Sequence, residues 1–346
     1  MIRISFIGAG GICEQRHLPA LQQIPDVELV AVCNRNAESS ERIQQKWNFA
    51  RSETDWRKVI DDPHVDAIFI GTWPYLHREL SIAALQAGKH VFCQARMCMD
   101  WNEAQQMVAV ARAHPQFVSM VCPSPFRVRW ERRVKQILAA PEFGALETVS
   151  VCSRNGANLN FERISWREKV EYSGLNILQV GIFAETLNSW CGEYAALTAA
   201  TKIQLNPKID AAGLRHEIQV PQAVEIQGML ACGAAITESH FGLWAGTEVS
   251  EIMLSGSDQV CRIDLLAGSV SLQRQRDSNE HAIDSSGDPW RVEQEFVSAV
   301  IDARRGDPWR SKDRINPDFD VAARYMSKMQ AIHDSAATGR PVELKV

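Results

Sequence analysis

Short apolar runs alternate with stretches in which apolar residues return every three or four positions, and this alternation governs the first third of the chain. Ile2 to Ile7 is strand-like and ends in Gly8-Ala-Gly-Gly-Ile-Cys13, after which Leu18, Leu21 and Ile24 recur at helical spacing. Further strands fall over Glu28 to Cys33, Val65 to Ile70, His90 to Cys93 and Phe117 to Val121. Helices fall over Arg78 to Gln86, stopped by Gly88, and from a capping box of Asp100 with Glu103 to Ala113. Strands separated by helices predict an α/β domain with a doubly wound parallel sheet, its ligand at the strands' carboxyl ends. Thr72, Trp73, His77 and Gln94 to Arg96 stand at such ends.

Beyond Pro123 and Pro125 the pattern changes, and the chain is expected to divide into a dinucleotide-binding domain, 1–123, and a second domain, 124–346. A helix is predicted over Arg127 to Ala139, with a cationic run (Arg127, Arg129, Arg132, Arg133, Lys135) that reads as a solvated face. Strands follow at Thr148 to Cys152, Ala223 to Leu230, Ala234 to His240, Val249 to Ser255, Val260 to Leu266 and Ser269 to Arg274. Cys232-Gly233, Gly256-Ser-Asp258 and Ala267-Gly268 punctuate them as hairpin turns, so an α+β domain with a mainly antiparallel open sheet is expected, with a helix over Leu175 to Trp190 against it. An open sheet leaves one face to cover, and the expectation is a homodimer or homotetramer formed through it.

Composition narrows the class. The 346 residues are 45% apolar and 23% charged, and a net charge of -5 gives no footprint for nucleic acid. No apolar run reaches the roughly 20 residues of a membrane span, and the N-terminus carries no secretion signal, so a cytoplasmic location is expected. Nine cysteines are scattered without metal-ligand spacing, so they read as reduced, buried thiols and no metal is expected.

Candidate chemistry begins at the first glycine turn. Gly8 permits a tight turn, Gly10 and Gly11 let backbone approach a pyrophosphate, and the helix opening at Ile12 offers unpaired N–H groups to negative charge. At the end of the second strand an acid would grip the ribose of NAD. Here neutral Asn34 and cationic Arg35 favour the 2′-phosphate of NADP, with NAD as the alternative.

With these motifs, the chain resembles the Gfo/Idh/MocA oxidoreductases. The likeness rests on the glycine turn with His17-Leu-Pro-Ala-Leu21, Asp62-Pro-His-Val-Asp66, Thr72 with His77, Ala84-Leu-Gln-Ala-Gly-Lys-His-Val91 and Ser335-Ala-Ala-Thr-Gly-Arg-Pro-Val342. The resemblance implies a Rossmann domain, a bound nicotinamide nucleotide and sugar, polyol or cyclic alcohol substrates. It also exposes departures. The family's Glu-Lys-Pro is Gln94-Ala95-Arg96 here, and its Asp and His, four residues apart on a helix, align with Gln179 and Phe183. An amide and a phenyl ring relay no protons at neutral pH.

The expectation is therefore a hydride-transferring oxidoreductase with a rebuilt site acting on a small molecule. Cofactor candidates are Gly8, Gly10, Gly11, Ile12, Asn34, Arg35, Thr72, Trp73, His77 and Gln94. Catalytic candidates are Arg96, Gln179, Tyr172 and His240, and an anionic substrate would meet Arg96, Arg163, Trp166, Arg167 and Asn176. Two alternatives stay open: a redox-neutral lyase or hydrolase keeping its nucleotide bound, and a catalytically silent nucleotide-binding protein.

Overall fold

The computed structural model describes residues 1–159, 164–274, 277, 279–283, 286–310 and 314–344. The chain forms two compact units: residues 1–123 with 290–323, and residues 124–289 with 324–346. The expected division at 123/124 therefore needs one correction, because residues 290–323 pack with the first unit.

Unit 1 is built on strands β1 (Ile2–Ile7), β2 (Val27–Cys33), β3 (Arg51–Glu53), β4 (Ala67–Ile70), β5 (His90–Cys93) and β6 (Ser119–Val121), with helices α1 (Leu18–Leu21), α2 (Ala37–Trp47), α3 (Trp56–Ile60), α4 (His77–Gln86) and α5 (Trp101–Ala113). The strands form one parallel sheet in the order β3-β2-β1-β4-β5-β6, the doubly wound arrangement expected from the sequence. Strands β4 and β5 are buried at every position, as a sheet covered on both faces requires. On one face Phe6, Phe69 and Phe92 stack in series at 4.8 and 4.6 Å between ring centroids. Each aromatic pair adds about 0.5–1.5 kcal/mol beyond its buried area.

Unit 2 opens with α6 (Pro125–Ala139) and strand β7 (Leu146–Arg154), followed by α7 (Val170–Ser173) and α8 (Val180–Cys191). Its strands continue as β8 (Tyr194–Lys202), the short pair β9 (Lys208–Ile209) and β10 (Arg215–His216), β11 (Ala223–Leu230), β12 (Ala235–Phe241), β13 (Val249–Gly256), β14 (Gln259–Asp264), β15 (Ser269–Arg274), β16 (His281–Ile283) and β17 (Val342–Glu343). The large sheet runs β16-β15-β14-β13-β7-β12-β11-β8-β17 and is antiparallel except where β7 meets β12. All three predicted hairpins form, joining β11 to β12, β13 to β14 and β14 to β15. The helix expected from Leu175 starts at Val180, because Gly174 (φ 60°) and Leu178 (φ 43°) take positive φ and break it. Seven of the nine cysteines are buried; Cys152 is half-buried and Cys232 exposed.

The chain then returns to unit 1 as α9 (Val292–Arg305), while α10 (Phe319–Thr338) begins there and continues into unit 2. Phe296 of α9 meets Phe69 and Phe92 edge-on at 5.1 and 5.4 Å, and Val121 donates its N–H to Pro317 O at 2.9 Å beside the last strand. These contacts are why 290–323 belong with the sheet. Neither helix was anticipated from the sequence.

Candidate active site

The glycine turn after β1 is shaped by close approach. Gly8 has φ 84°, and a Cβ there would stand 2.5 Å from Thr72 Cγ2, so only glycine lets the turn rest against the end of β4. Gly10 and Gly11 are exposed, and a Cβ on either would meet nothing within 4 Å. That open side is where a ligand can approach the backbone. The first helical bond is donated by Glu14 to Gly10 O at 3.1 Å, so the amides of Gly11, Ile12 and Cys13 precede any intrahelical acceptor and concentrate positive potential. The turn runs through a π-helical segment, Cys13–His17, before α1.

Thr72 brings a second donor to this place. Its Oγ1 is buried and has no hydrogen-bond partner among the described residues, a polar atom expected to be satisfied by something. Asn34, at the end of β2, donates its side-chain amide to Ala9 O at 3.4 Å and to Ser39 Oγ at 3.0 Å, which ties it to the turn. Arg35 is exposed, and Asn36 caps α2 by accepting the Ser39 N–H at 2.9 Å. A cation beside a helix N-terminus is a setting for phosphate. The open glycines, the unpaired amides and the orphaned threonine hydroxyl fit a dinucleotide.

Two candidates expected to touch cofactor are employed otherwise. His77 is wholly buried, with Nδ1 2.9 Å from Arg96 O and Nε2 2.9 Å from Thr72 O, so its ring joins two backbone segments. Burial pushes its pKa down, against the raising effect of those carbonyls. Gln94 accepts the Ala95 N–H on Oε1 at 2.9 Å, which leaves its Nε2 to face His17 Nε2 at 2.9 Å. His17 must accept there, so its Nδ1 carries the proton toward Glu293 Oε1, 2.5 Å away. Trp290 Nε1 donates to Glu293 Oε2 at 2.8 Å and receives Arg16 over its ring at 4.8 Å. His17 and Glu293 are both 1% exposed. This chain fixes the backbone leading to exposed Ala95 and half-buried Arg96. The role of His17 with Glu293 was missed because the two lie 276 residues apart in sequence.

The remaining candidates lie in unit 2. Arg163 falls outside the described residues. Trp166 carries Arg167 over its ring at 4.4 Å, and their loop is anchored by buried Glu168, which pairs with Lys208 Nζ at 2.6 Å and closes a capping box on Ser165. Tyr172 is half-buried, and Asn176 is buried with its amide donating to Ser173 O at 2.6 Å. Gln179 is an exposed N-cap, whereas Phe183 is fully buried against Phe126 and His240 at 5.3 and 5.2 Å. His240 is buried: Nε2 lies 2.9 Å from Glu238 Oε2, and Nδ1 has no partner among the described residues. Glu238 also accepts from Lys328 Nζ at 2.5 Å and from the Tyr194 hydroxyl; with Lys328 and His240 beside it, its pKa falls to about 2 despite complete burial.

Residues 2–121 match the family model for the Gfo/Idh/MocA oxidoreductases, described as an oxidoreductase family with an NAD-binding Rossmann fold. Through this segment the chain is similar to the Gfo/Idh/MocA oxidoreductases. Among curated relatives, 1,5-anhydro-D-fructose reductase of Ensifer adhaerens is 33% identical over 112 residues, covering 32% of this chain and 33% of that protein. The NADP(+)-dependent scyllo-inositol 2-dehydrogenase of Bacillus subtilis is 31% identical over 33% of this chain and 34% of its own length. The alignment thus spans about a third of each of these relatives. A longer match, 25% identical over 64% of this chain and 62% of the other, is to mouse trans-1,2-dihydrobenzene-1,2-diol dehydrogenase. Across the whole chain the fold is that of levoglucosan dehydrogenase solved with NADH and L-sorbose, with a TM-score of 0.87 at 18% identity over 100% of this chain and 99% of that one. This similarity agrees with the glycine turn and the parallel sheet of unit 1.

Proposed function

We propose that the protein is an NAD(P)-dependent oxidoreductase that interconverts a carbinol and a carbonyl on a sugar, polyol or related cyclic substrate, with NADP the preferred nucleotide. The observation that carries this reading is the glycine turn at the carboxyl end of β1, open at Gly10 and Gly11 and packed at Gly8 against Thr72 beyond the end of β4. Gly10, Gly11 and Ile12 would hold the pyrophosphate through backbone amides, and Arg35 the 2′-phosphate. Hydride chemistry comes from the nicotinamide when bound. Relatives named as a reductase and as an NADP(+)-dependent dehydrogenase support both parts.

For the proton, no titratable side chain stands at Ala95 or Phe183, so the family's acid–base scheme does not carry over. Arg96 stays cationic and orients an oxygen or an anion without acting as a base. His240, Tyr172 and water are left for proton transfer, and Trp166, Arg167 and Asn176 for substrate contact. These same departures keep a redox-neutral reaction with retained nucleotide as the second reading.

Tryptophan-fluorescence titration decides the nucleotide: NADPH should bind about tenfold tighter than NADH, and Arg35→Ala should remove the gap. Equal wild-type affinities would overturn the NADP assignment. For the reaction, a panel of polyols and sugar acids is followed at 340 nm alongside product analysis. Product without any net absorbance change supports the redox-neutral reading. Arg96→Ala should raise KM or lower kcat while leaving nucleotide affinity within twofold, and weakened nucleotide binding would instead put Arg96 among the cofactor contacts.

A further inference from the structure

Side chains of β7 alternate between the two faces of its sheet: Val149, Val151 and Ser153 are buried, while Ser150, Cys152 and Arg154 turn to the other face and stay half-buried. Register sets Arg154 opposite Phe241 of β12 and Val249 of β13. The guanidinium there is held without being neutralised. Its carbon lies 5.7 Å over the Phe241 ring and 5.2 Å over the Trp244 ring, and Nη2 donates to Ser239 Oγ at 3.2 Å. That is the group's one hydrogen bond among the described residues, and its buried Nε has no acceptor among them. No carboxylate of the described residues forms an ion pair with it. Glu225 reaches it only through Ser239, whose hydroxyl donates to Glu225 Oε1 at 3.0 Å.

The aromatic frame around this cation is fixed by its own backbone. Trp244 donates its main-chain N–H to Asn155 O and its indole N–H to Thr247 O, both at 2.9 Å, and Asn155 donates to Phe241 O at 2.9 Å. Gly246 makes room for the folded-back indole, since a Cβ there would stand 2.8 Å from Trp244 Nε1. Gly242, between the two aromatic positions, has no space for a side chain either: a Cβ would stand 2.8 Å from Leu178 Cδ2 and 2.9 Å from Asn158 Oδ1. Trp244 nevertheless remains 37% exposed, so the frame is open along one edge. A guanidinium already stacked on rings loses little freedom when a ligand arrives.

We propose that Arg154, Phe241 and Trp244 form a binding site for a small monocarboxylate whose ring lies against the exposed indole. The carboxylate supplies acceptors that the guanidinium lacks, in a charge-assisted pair. A monoanion balances the single cation, whereas a dianion would exceed it and meet Glu225 across Ser239. The indole gives the body of the ligand an apolar surface to cover. All of these residues belong to unit 2, and none is assigned to the nucleotide or to the reaction proposed above.

The full chain is titrated separately with sodium D-glucuronate, D-glucose and sodium acetate at constant ionic strength and neutral pH, while indole N–H resonances are followed by NMR. The resonance assigned to Trp244, by its loss in Trp244→Phe, should move saturably with glucuronate. Glucose has the ring without the charge and acetate the charge without the ring, so each should need a concentration about tenfold higher or more. Arg154→Met keeps an apolar stem over the rings and should weaken the glucuronate response about tenfold or more, with NADPH affinity unchanged. A response to glucose or to acetate equal to that of glucuronate overturns the proposal. So does a glucuronate response unaltered in Arg154→Met, or none at all. If Trp244→Phe does not fold, calorimetry of glucuronate with the parent and with Arg154→Met reads the same difference, and equal affinities there overturn the site.

Discussion

Gln94 shows how one amide can set the state of a buried network. Because its Oε1 is committed to the Ala95 N–H, it must donate to His17, and His17 must donate to Glu293. Gln94→Glu removes that donor and sets a second acceptor against a neutral ring. A loss of about 1–3 kcal/mol is expected in urea denaturation at pH 8, the range for leaving a buried polar group unsatisfied. A variant as stable as the parent would mean that His17 finds another donor. The glycine turn itself was legible in the sequence, because its conformation depends on neighbours a few positions away. The duties of Gln94 and His77 were not, since standing at a strand end places a residue near a ligand without saying where its hydrogen bonds go.

Among the elements, strands and hairpins were readable because apolar alternation and glycine turns are local signals, and the three predicted hairpins formed at those glycines. The start of α8 was not. Leu175, Ile177 and Leu178 continue the apolar pattern of the helix, and only the positive φ at Gly174 and Leu178 separates them from it. The loop before α8 depends on the buried Lys208–Glu168 pair, with Lys208 also donating to Asn158 O at 2.8 Å. Lys208→Met leaves Glu168 charged and unpaired, so a loss of about 3–5 kcal/mol is expected, with faster hydrogen exchange over 164–174. Unaltered exchange there would show that the loop is held by something else. Strand β5 contributes a pH dependence. His90 Nδ1 accepts the Val118 N–H at 3.0 Å, and burial, with Arg304 nearby, pushes the ring's pKa down to about 4. An unfolded histidine titrates near 6.5, so this contribution is complete above that pH and is lost as pH falls toward 4, roughly 3 kcal/mol in all. His90→Gln should flatten the fall in urea midpoint between pH 7 and 5; an unchanged slope would assign the effect to another group.

For the whole molecule, the discontinuous first unit was the feature least visible in the sequence. Nothing in the composition near residue 290 marks a return to the first sheet, and the partners that draw it back, Phe69, Phe92 and His17, lie more than 190 positions earlier. A fragment of residues 1–123 should therefore bind NADPH poorly or aggregate. The same fragment joined by a flexible linker to 290–323 should recover binding, as read by fluorescence titration. Equal binding by both fragments would mean that the sheet completes itself without α9. The return of the chain also sets the timing of synthesis. At about 5–20 residues per second, Phe296 leaves the ribosome roughly ten to thirty seconds after Pro123. Through that interval Phe69 and Phe92 await their cover, and the nascent chain offers chaperones an aromatic surface that the finished protein never displays.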